Sequence, residues 1–509
     1  MQGKTLRSIG KLLTPVSIFL MLSACGGGSG STQPQIAGEQ ASALGSDIDV
    51  QVLKYLEDNN IPGATVAVTK NGRLVLWKGY GRADKENQVA MQPWHRTRIG
   101  SVSKVITAIG TLQFVDSGNI ALDQPLYSSQ IAAWWGNAGA TGAPGFISSP
   151  DGALNDIGIY LKALAEAPAR LKGSSETLNA SPLYLTQGDN QANVEEILDW
   201  ASQIQVWHAL SHTAGYLRSG NTTAARSYWN LNENDPLSYA QLHAAMLAGT
   251  KVYRDKDTGN LFRDVPLRFM AGSSWRYSNH GFGVLGMLIS EQSGQSYYDY
   301  IQDNVFKPLG LTDIVHASTF TGLDATGYFY NAKNGQIKPT TPPAAPPPDL
   351  LGLPTGGWAA NAHDMARILC GLDTRNSISQ PLVPERRLLD SATVKVMNNP
   401  DFFPADINMS RRILGWDAVK NRSAYDYVTK TGLRNSVPGA SRVSKYFYPD
   451  LTDVNTEINV AVLFNVNKTP ADGLLNDIAE IVEDTSIPAT YDLFDADYRC
   501  VTGLTLVTG

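Results

Sequence analysis

Arg98-Ile99-Gly100-Ser101-Val102-Ser103-Lys104-Val105-Ile106-Thr107-Ala108 decides how the rest of this chain is read. The glycine marks a turn. Behind it Val102, Val105, Ile106, Ile109 and Leu112 recur at the i, i+3, i+4 spacing of a buried helical face. Ser101 falls in the first turn and Lys104 three positions later, so both side chains lie on the same side. A serine hydroxyl is a poor nucleophile until a base takes its proton, and a lysine amine serves as that base once burial or neighbouring cations lower its pKa. A helix cap followed by a solvated lysine has the same spelling. Ser8-Ile9-Gly10-Lys11 repeats it, so the case has to come from elsewhere in the chain.

Toward the N-terminus, the runs Gly63–Thr69 and Arg73–Gly79 read as strands. They are joined through Asn71-Gly72, the dipeptide of a tight type I′ hairpin. A helix is expected over Ser46–Asn59 with Val50, Leu53 and Leu56 on one face. Toward the C-terminus the pattern loosens over residues 123–193, which read as an inserted, mainly helical subdomain with one helix at Ile157–Leu171. Val194–Ile204 is helical. Tyr277-Ser278-Asn279 follows a turn and opens a helix with Phe282, Leu285 and Ile289 on one face. Thr340–Pro354 is proline-rich and reads as an irregular loop before Gly356-Gly357-Trp358 and a helix at Asp364–Leu372. Tyr425–Thr431 reads as a strand ending at Lys430-Thr431-Gly432, followed by strands at Val443–Tyr448 and Ile458–Val466 and a helix over Pro470–Glu483. The expected fold is therefore α/β of the α+β type: an antiparallel sheet built from N- and C-terminal strands, flanked by helices.

The 509 residues are 43% hydrophobic, a folded rather than a disordered balance. A net charge of −6, with no basic run interleaved with aromatics, argues against a nucleic-acid partner. Lys4, Arg7 and Lys11 precede the short apolar core Leu12–Leu22, as in a signal peptide. Leu22-Ser23-Ala24-Cys25 resembles the lipobox of bacterial lipoproteins. That resemblance implies a signal peptide over residues 1–24, a lipid anchor at Cys25 and a flexible tether over 25–45. It also implies a periplasm-facing location in the cell envelope, at the outer membrane. The catalytic body is expected over 46–486, with a C-terminal extension at 487–509. Cys370 and Cys500 either pair in an oxidising compartment or stay as buried thiols. The seven histidines are read as forming no His-x-x-x-His zinc pair, so no metal and no cofactor is expected.

Three motifs stand in fixed order: Ser101-x-x-Lys104, Tyr277-Ser278-Asn279 and Lys430-Thr431-Gly432. Together they resemble the serine β-lactamase and penicillin-binding-protein superfamily, and Tyr-Ser-Asn points to its class C-like branch. Leu210-Ser211-His212-Thr213-Ala214-Gly215 and Gly356-Gly357-Trp358 look like further family blocks, so the likeness covers most of Ile61–Asp484.

The resemblance implies an acyl-enzyme mechanism on an ester, amide or β-lactam, with a small-molecule or peptide acyl substrate. Ser101 would attack, with Lys104 and Tyr277 handling its proton. Phenolate at pH 7 costs about 4 kcal/mol unless cations offset it, and Lys104 and Lys430 are the candidate cations. The backbone N–H groups of Ser101 and Leu433 would hold the oxyanion. Asn279 suits a substrate amide, Lys430 and Thr431 suit a carboxylate, and Gly432 lets substrate lie close to the strand. His212 is expected to be structural. The long interval between Ser101 and Tyr277 and the unusual Leu433–Gly439 segment favour an esterase or peptidase over a true β-lactamase. A penicillin sensor or envelope scaffold on the same fold is the non-catalytic alternative.

Overall fold

Asn71 and Gly72 both adopt positive φ, +54° and +76°, the backbone that a type I′ turn requires. The hairpin they close is the start of the sheet on which the molecule is built. The computed structural model describes residues 35–126, 169–170, 177–178, 200, 203–216, 252–254, 261–263, 270–317, 319, 322–340, 352–374, 383–399, 413–422, 425–434, 437–448, 456–494, 497 and 499–501. The expected signal peptide, Cys25, the first part of the tether, most of the helix at Val194–Ile204 and most of the 123–193 insertion lie outside the described residues.

Seven strands carry the fold: β1 (Ile36–Gln40), β2 (Gly63–Lys70), β3 (Arg73–Asp84), β4 (Ala418–Asn421), β5 (Asp426–Arg434), β6 (Val437–Tyr448) and β7 (Thr456–Phe464). Their order is β1-β3-β2-β7-β6-β5-β4, every pairing antiparallel, with the short strand Val89–Ala90 added on β3. The first and last parts of the chain therefore meet at the β2–β7 seam, as the strand pattern predicts. β7 reads as a continuous apolar run because both faces of the sheet are covered. Ile458, Val460, Val462 and Phe464 point into one core and Ala461 and Leu463 into the other.

The first core is closed by α1 (Asp47–Asp58) and α6 (Asp472–Asp484). The second is closed by α2 (Ser103–Asp116), α3 (Val206–Leu210), α4 (Asn279–Ser293) and α5 (Ala362–Cys370). Phe282, Leu285 and Ile289 of α4 are fully buried, as their spacing predicts. Among the described residues no helix is long and apolar enough to cross a membrane.

Several boundaries differ from expectation, each for a physical reason. Residues 36–45 are not tether: Ile36–Gln40 pairs with β3 and Leu44 is buried beneath it. The inward face of α1 is Ile48, Val52 and Leu56, while Val50 is 58% exposed; acidic residues at the helix start obscure the phase. Ala169–Arg170, expected at the end of a helix, pairs as a short strand with Thr177–Leu178. Lys430 does not end its strand, because β5 runs on to Arg434 through a register shift after Leu433. In its described residues the C-terminal extension is packed on the body: Phe494, Cys500 and Val501 are buried, and Leu493 N donates to the Leu74 carbonyl. Cys370 and Cys500 form a disulfide across 130 positions, Cα atoms 6.4 Å apart. Chain-entropy arithmetic puts closure of so long a loop at about 5 kcal/mol of constraint on the unfolded state.

One ionic cluster is sealed in the sheet. Lys445 Nζ donates to Asp373 and to Glu457 Oε2 at 2.7 Å, and all three side chains are buried. Two carboxylates share one ammonium, so one carboxyl favours its proton. Burial pushes Asp373 up to about 7 against the pull of the Lys445 ammonium, with Glu457 adding to the effect of burial. Glu457 is pushed up by burial too, yet Lys445 holds it below its ordinary value. An acid raised in the folded state contributes stability that is complete below its unfolded pKa and is lost as pH rises through the folded one. Asp373→Asn cannot undergo that loss. Its melting temperature, relative to wild type, is expected to improve by about 2 °C or more between about pH 5 and about pH 8. Melting curves at the two pH values check this, and an offset that does not change with pH would overturn it.

Candidate active site

Ser101 stands on a single 3₁₀ turn, Gly100–Val102, that feeds α2. Gly100 takes φ +51°, a left-handed conformation that favours glycine, and a methyl placed on it would lie 2.8 Å from the Leu433 amide nitrogen. Strand β5 lies flush against this turn. A methyl on Gly432 would fall 1.8 Å from the Ile99 carbonyl oxygen, and Ser441 Oγ donates to that same oxygen at 2.6 Å. The two glycines permit the approach that brings the Leu433 N–H beside the Ser101 turn.

Lys104 occupies the first turn of α2 and is fully buried. Its Nζ donates to Asn279 Oδ1 at 2.7 Å, to the Thr355 carbonyl, and to Ser101 Oγ at 3.3 Å. Tyr277 Oη, just ahead of α4, approaches Ser101 Oγ at 2.6 Å. The tyrosine is placed by its neighbours: Ser278 caps α4, its Oγ accepting from Gly281 N, while Ser278 N donates to His212 Nδ1 at 3.1 Å. The Nζ atoms of Lys104 and Lys430 lie 5.0 and 5.5 Å from the centroid of the Tyr277 ring. Both ammonium groups thus stand where developing phenolate charge would be stabilised.

His212 packs behind the tyrosine, its ring 4.4 Å from that of Tyr277, and is buried. Burial, reinforced by Lys430 and Lys104, holds its imidazole well below the usual histidine pKa. It is a neutral prop for Tyr277 and accepts a backbone hydrogen bond. His208 and His212 do form a His-x-x-x-His pair, which qualifies the expectation drawn from the histidines. However, α3 ends at Leu210 and His212 takes φ +61°, so the two rings do not share a helical face. Each Nδ1 already accepts a backbone N–H, and no group of three metal-binding side chains occurs among the described residues.

The third motif holds a partner that the sequence did not reveal. Lys430 is fully buried and donates to Asp417 Oδ1 at 2.8 Å; Thr431 N donates to Asp417 Oδ2 at 2.8 Å. The register explains the pairing. Ala418 lies opposite Thr429, which sets Asp417 across from Lys430, and opposite charges are favoured there. β4 is four residues long and carries no apolar alternation, so nothing in the sequence marks it as a strand. Leu433 is 37% exposed.

The structure therefore brings Ser101, Lys104, Tyr277, Asn279, Lys430, Thr431, Gly432 and Leu433 to one place. Cys25 is not among the described residues.

Residues 50–483 match the family model described as Beta-lactamase. Among curated proteins, Esterase EstB of Burkholderia gladioli is 23% identical over 283 residues, 56% of this chain and 54% of that protein. Protein flp of Staphylococcus aureus (strain MW2) is 22% identical over 321 residues, 62% of this chain and 47% of its own length. The chain thus spans about half the length of the curated relatives it matches. Among solved structures, the octameric penicillin-binding protein homologue from Pyrococcus abyssi superposes with a TM-score of 0.53 at 17% identity, over 87% of this chain and 78% of that one. EstCE1, described as a hydrolase with promiscuous acyltransferase activity, gives 0.52 at 17% identity over 87% and 98%. The antiparallel sheet with its helical layers, the three motifs around one hydroxyl and the family match over residues 50–483 agree: this chain belongs to the beta-lactamase family.

Proposed function

We propose that this protein is a serine hydrolase that cleaves ester or amide bonds through an acyl-enzyme, anchored in the bacterial cell envelope by a lipid at Cys25. The observation that carries the catalytic part is the convergence of Tyr277 Oη and Lys104 Nζ on Ser101 Oγ, at 2.6 and 3.3 Å. Ser101 attacks the acyl carbon, and its proton passes through Tyr277 and Lys104 to the leaving group. Water then attacks the acyl carbon and gives a proton to the same pair, which passes it to Ser101 Oγ as the acid leaves. The backbone N–H groups of Ser101 and Leu433 receive the tetrahedral oxyanion. Among substrate classes, esters and peptide-like amides are favoured over β-lactams. The esterase name of one relative and the unusual segment after Gly432 support that order.

Mass spectrometry after a fluorophosphonate probe is expected to show one adduct on wild type and none on Ser101→Ala. Turnover of a p-nitrophenyl ester should vanish with the same substitution. Efficient nitrocefin hydrolysis would reverse the preference for esters, and a persistent β-lactam adduct without turnover would favour a penicillin sensor.

A further inference from the structure

We propose that Asp417 is a specificity-determining residue that reserves the cleft for substrates whose leaving group carries no carboxylate. This rests on the hydrolase reading of Ser101 and deepens it. In a cleft of this layout, Lys430 and Thr431 are the groups that would meet a substrate carboxylate. Here both are already engaged by one: Asp417 takes the Lys430 ammonium on Oδ1 and the Thr431 N–H on Oδ2.

The pairing is held from several sides. Asp417 N donates to the Thr429 carbonyl, Gly415 N donates to the Leu210 carbonyl, and Trp416 between them is buried with its indole N–H on Asn398 Oδ1. Asp417 is therefore no surface carboxylate that happens to lean over. Lys430 is 0% exposed, whereas the Asp417 side chain is 31% exposed. Of the two charges, only the negative one reaches solvent.

Two further cations close to this strand have partners of their own. Arg442, opposite Thr431 on β6, pairs with Asp472, which also pairs with Lys420. Lys104 is bound to Asn279 and Thr355. An anionic leaving group docking at Thr431 would meet the fixed like charge of Asp417, which already holds Lys430 and the Thr431 N–H, and such juxtapositions select against a ligand. A neutral leaving group meets a hydrogen-bonding wall without that penalty.

The test uses the full chain and two esters that differ only in charge: 3-(phenylacetoxy)benzoate and its methyl ester, with phenol release as the signal. Wild type is expected to favour the methyl ester in kcat/KM by about tenfold or more, and Asp417→Asn to move the ratio toward the acid by about tenfold, chiefly through KM for the acid. The asparagine retains an acceptor for Thr431 N–H, and Asp417→Ser offers a second neutral variant should the first fold poorly. A wild type that prefers the acid overturns the proposal, as does a ratio that neither variant moves. Fluorophosphonate labelling in parallel separates the two ideas. Absence of a Ser101 adduct in wild type defeats the hydrolase reading, whereas a normal adduct with an unmoved ratio defeats only the role of Asp417.

Discussion

Gly432→Ala is expected to lower kcat for an ester substrate by about a hundredfold or more and to destabilise the fold by about 1–3 kcal/mol. The added methyl would fall 1.8 Å from the Ile99 carbonyl oxygen and 2.5 Å from Ser441 Oγ. Neither neighbour yields easily. The first is backbone leading into the turn that carries Ser101, and the second is tied to that same carbonyl. Strand β5 must therefore retreat from the turn, and the Leu433 N–H retreats with it. Loss of one preorganised oxyanion donor alone is worth about 10²–10³ in rate. Ester kinetics and melting curves on the same preparation measure both effects. Activity within about threefold of wild type would mean that the Leu433 N–H plays no part in the chemistry.

Tyr277→Phe is expected to reduce kcat/KM by about 10²–10⁴ with little change in stability. The substitution removes only the oxygen at 2.6 Å from Ser101 Oγ; the ring that packs on His212 is retained. Because α4 is capped through Ser278 and His212 rather than through the phenol, the helix start should hold its place. The rate of fluorophosphonate labelling should fall in step with turnover. A loss below about tenfold would assign proton transfer to Lys104 alone, and an unfolded variant would contradict that packing.

The three motifs were legible because each combines a distinctive residue set with a local element: a helix start, a turn before a helix, and a strand. The last strand showed itself differently. Its signal is the nearly unbroken apolar run Ile458–Phe464, which follows from cover on both faces, rather than an in-and-out alternation. What the sequence concealed is contact between distant short pieces. Asp417 meets Lys430 only through the register of a four-residue edge strand. Thr355 contributes a carbonyl, which has no side-chain signature. Ile36–Gln40 follows a Gly/Ser-rich run and has Gly and Glu in its middle, so its composition suggests linker. It becomes a strand because β3 is long enough to present a free edge to it.

The seam between β2 and β7 sets an order of assembly. On β2, Thr69 leaves the ribosome 390 residues ahead of its cross-strand neighbour Asn459. Until that neighbour arrives the hairpin of β2 and β3 has one open rim, a template for association with other nascent copies. Ser101 is likewise made early while its surroundings are completed late, because β5 and β6 follow it far along the chain. Until β5 is in place, the turn that carries Ser101 lacks the Leu433 N–H that Gly100 and Gly432 let approach it.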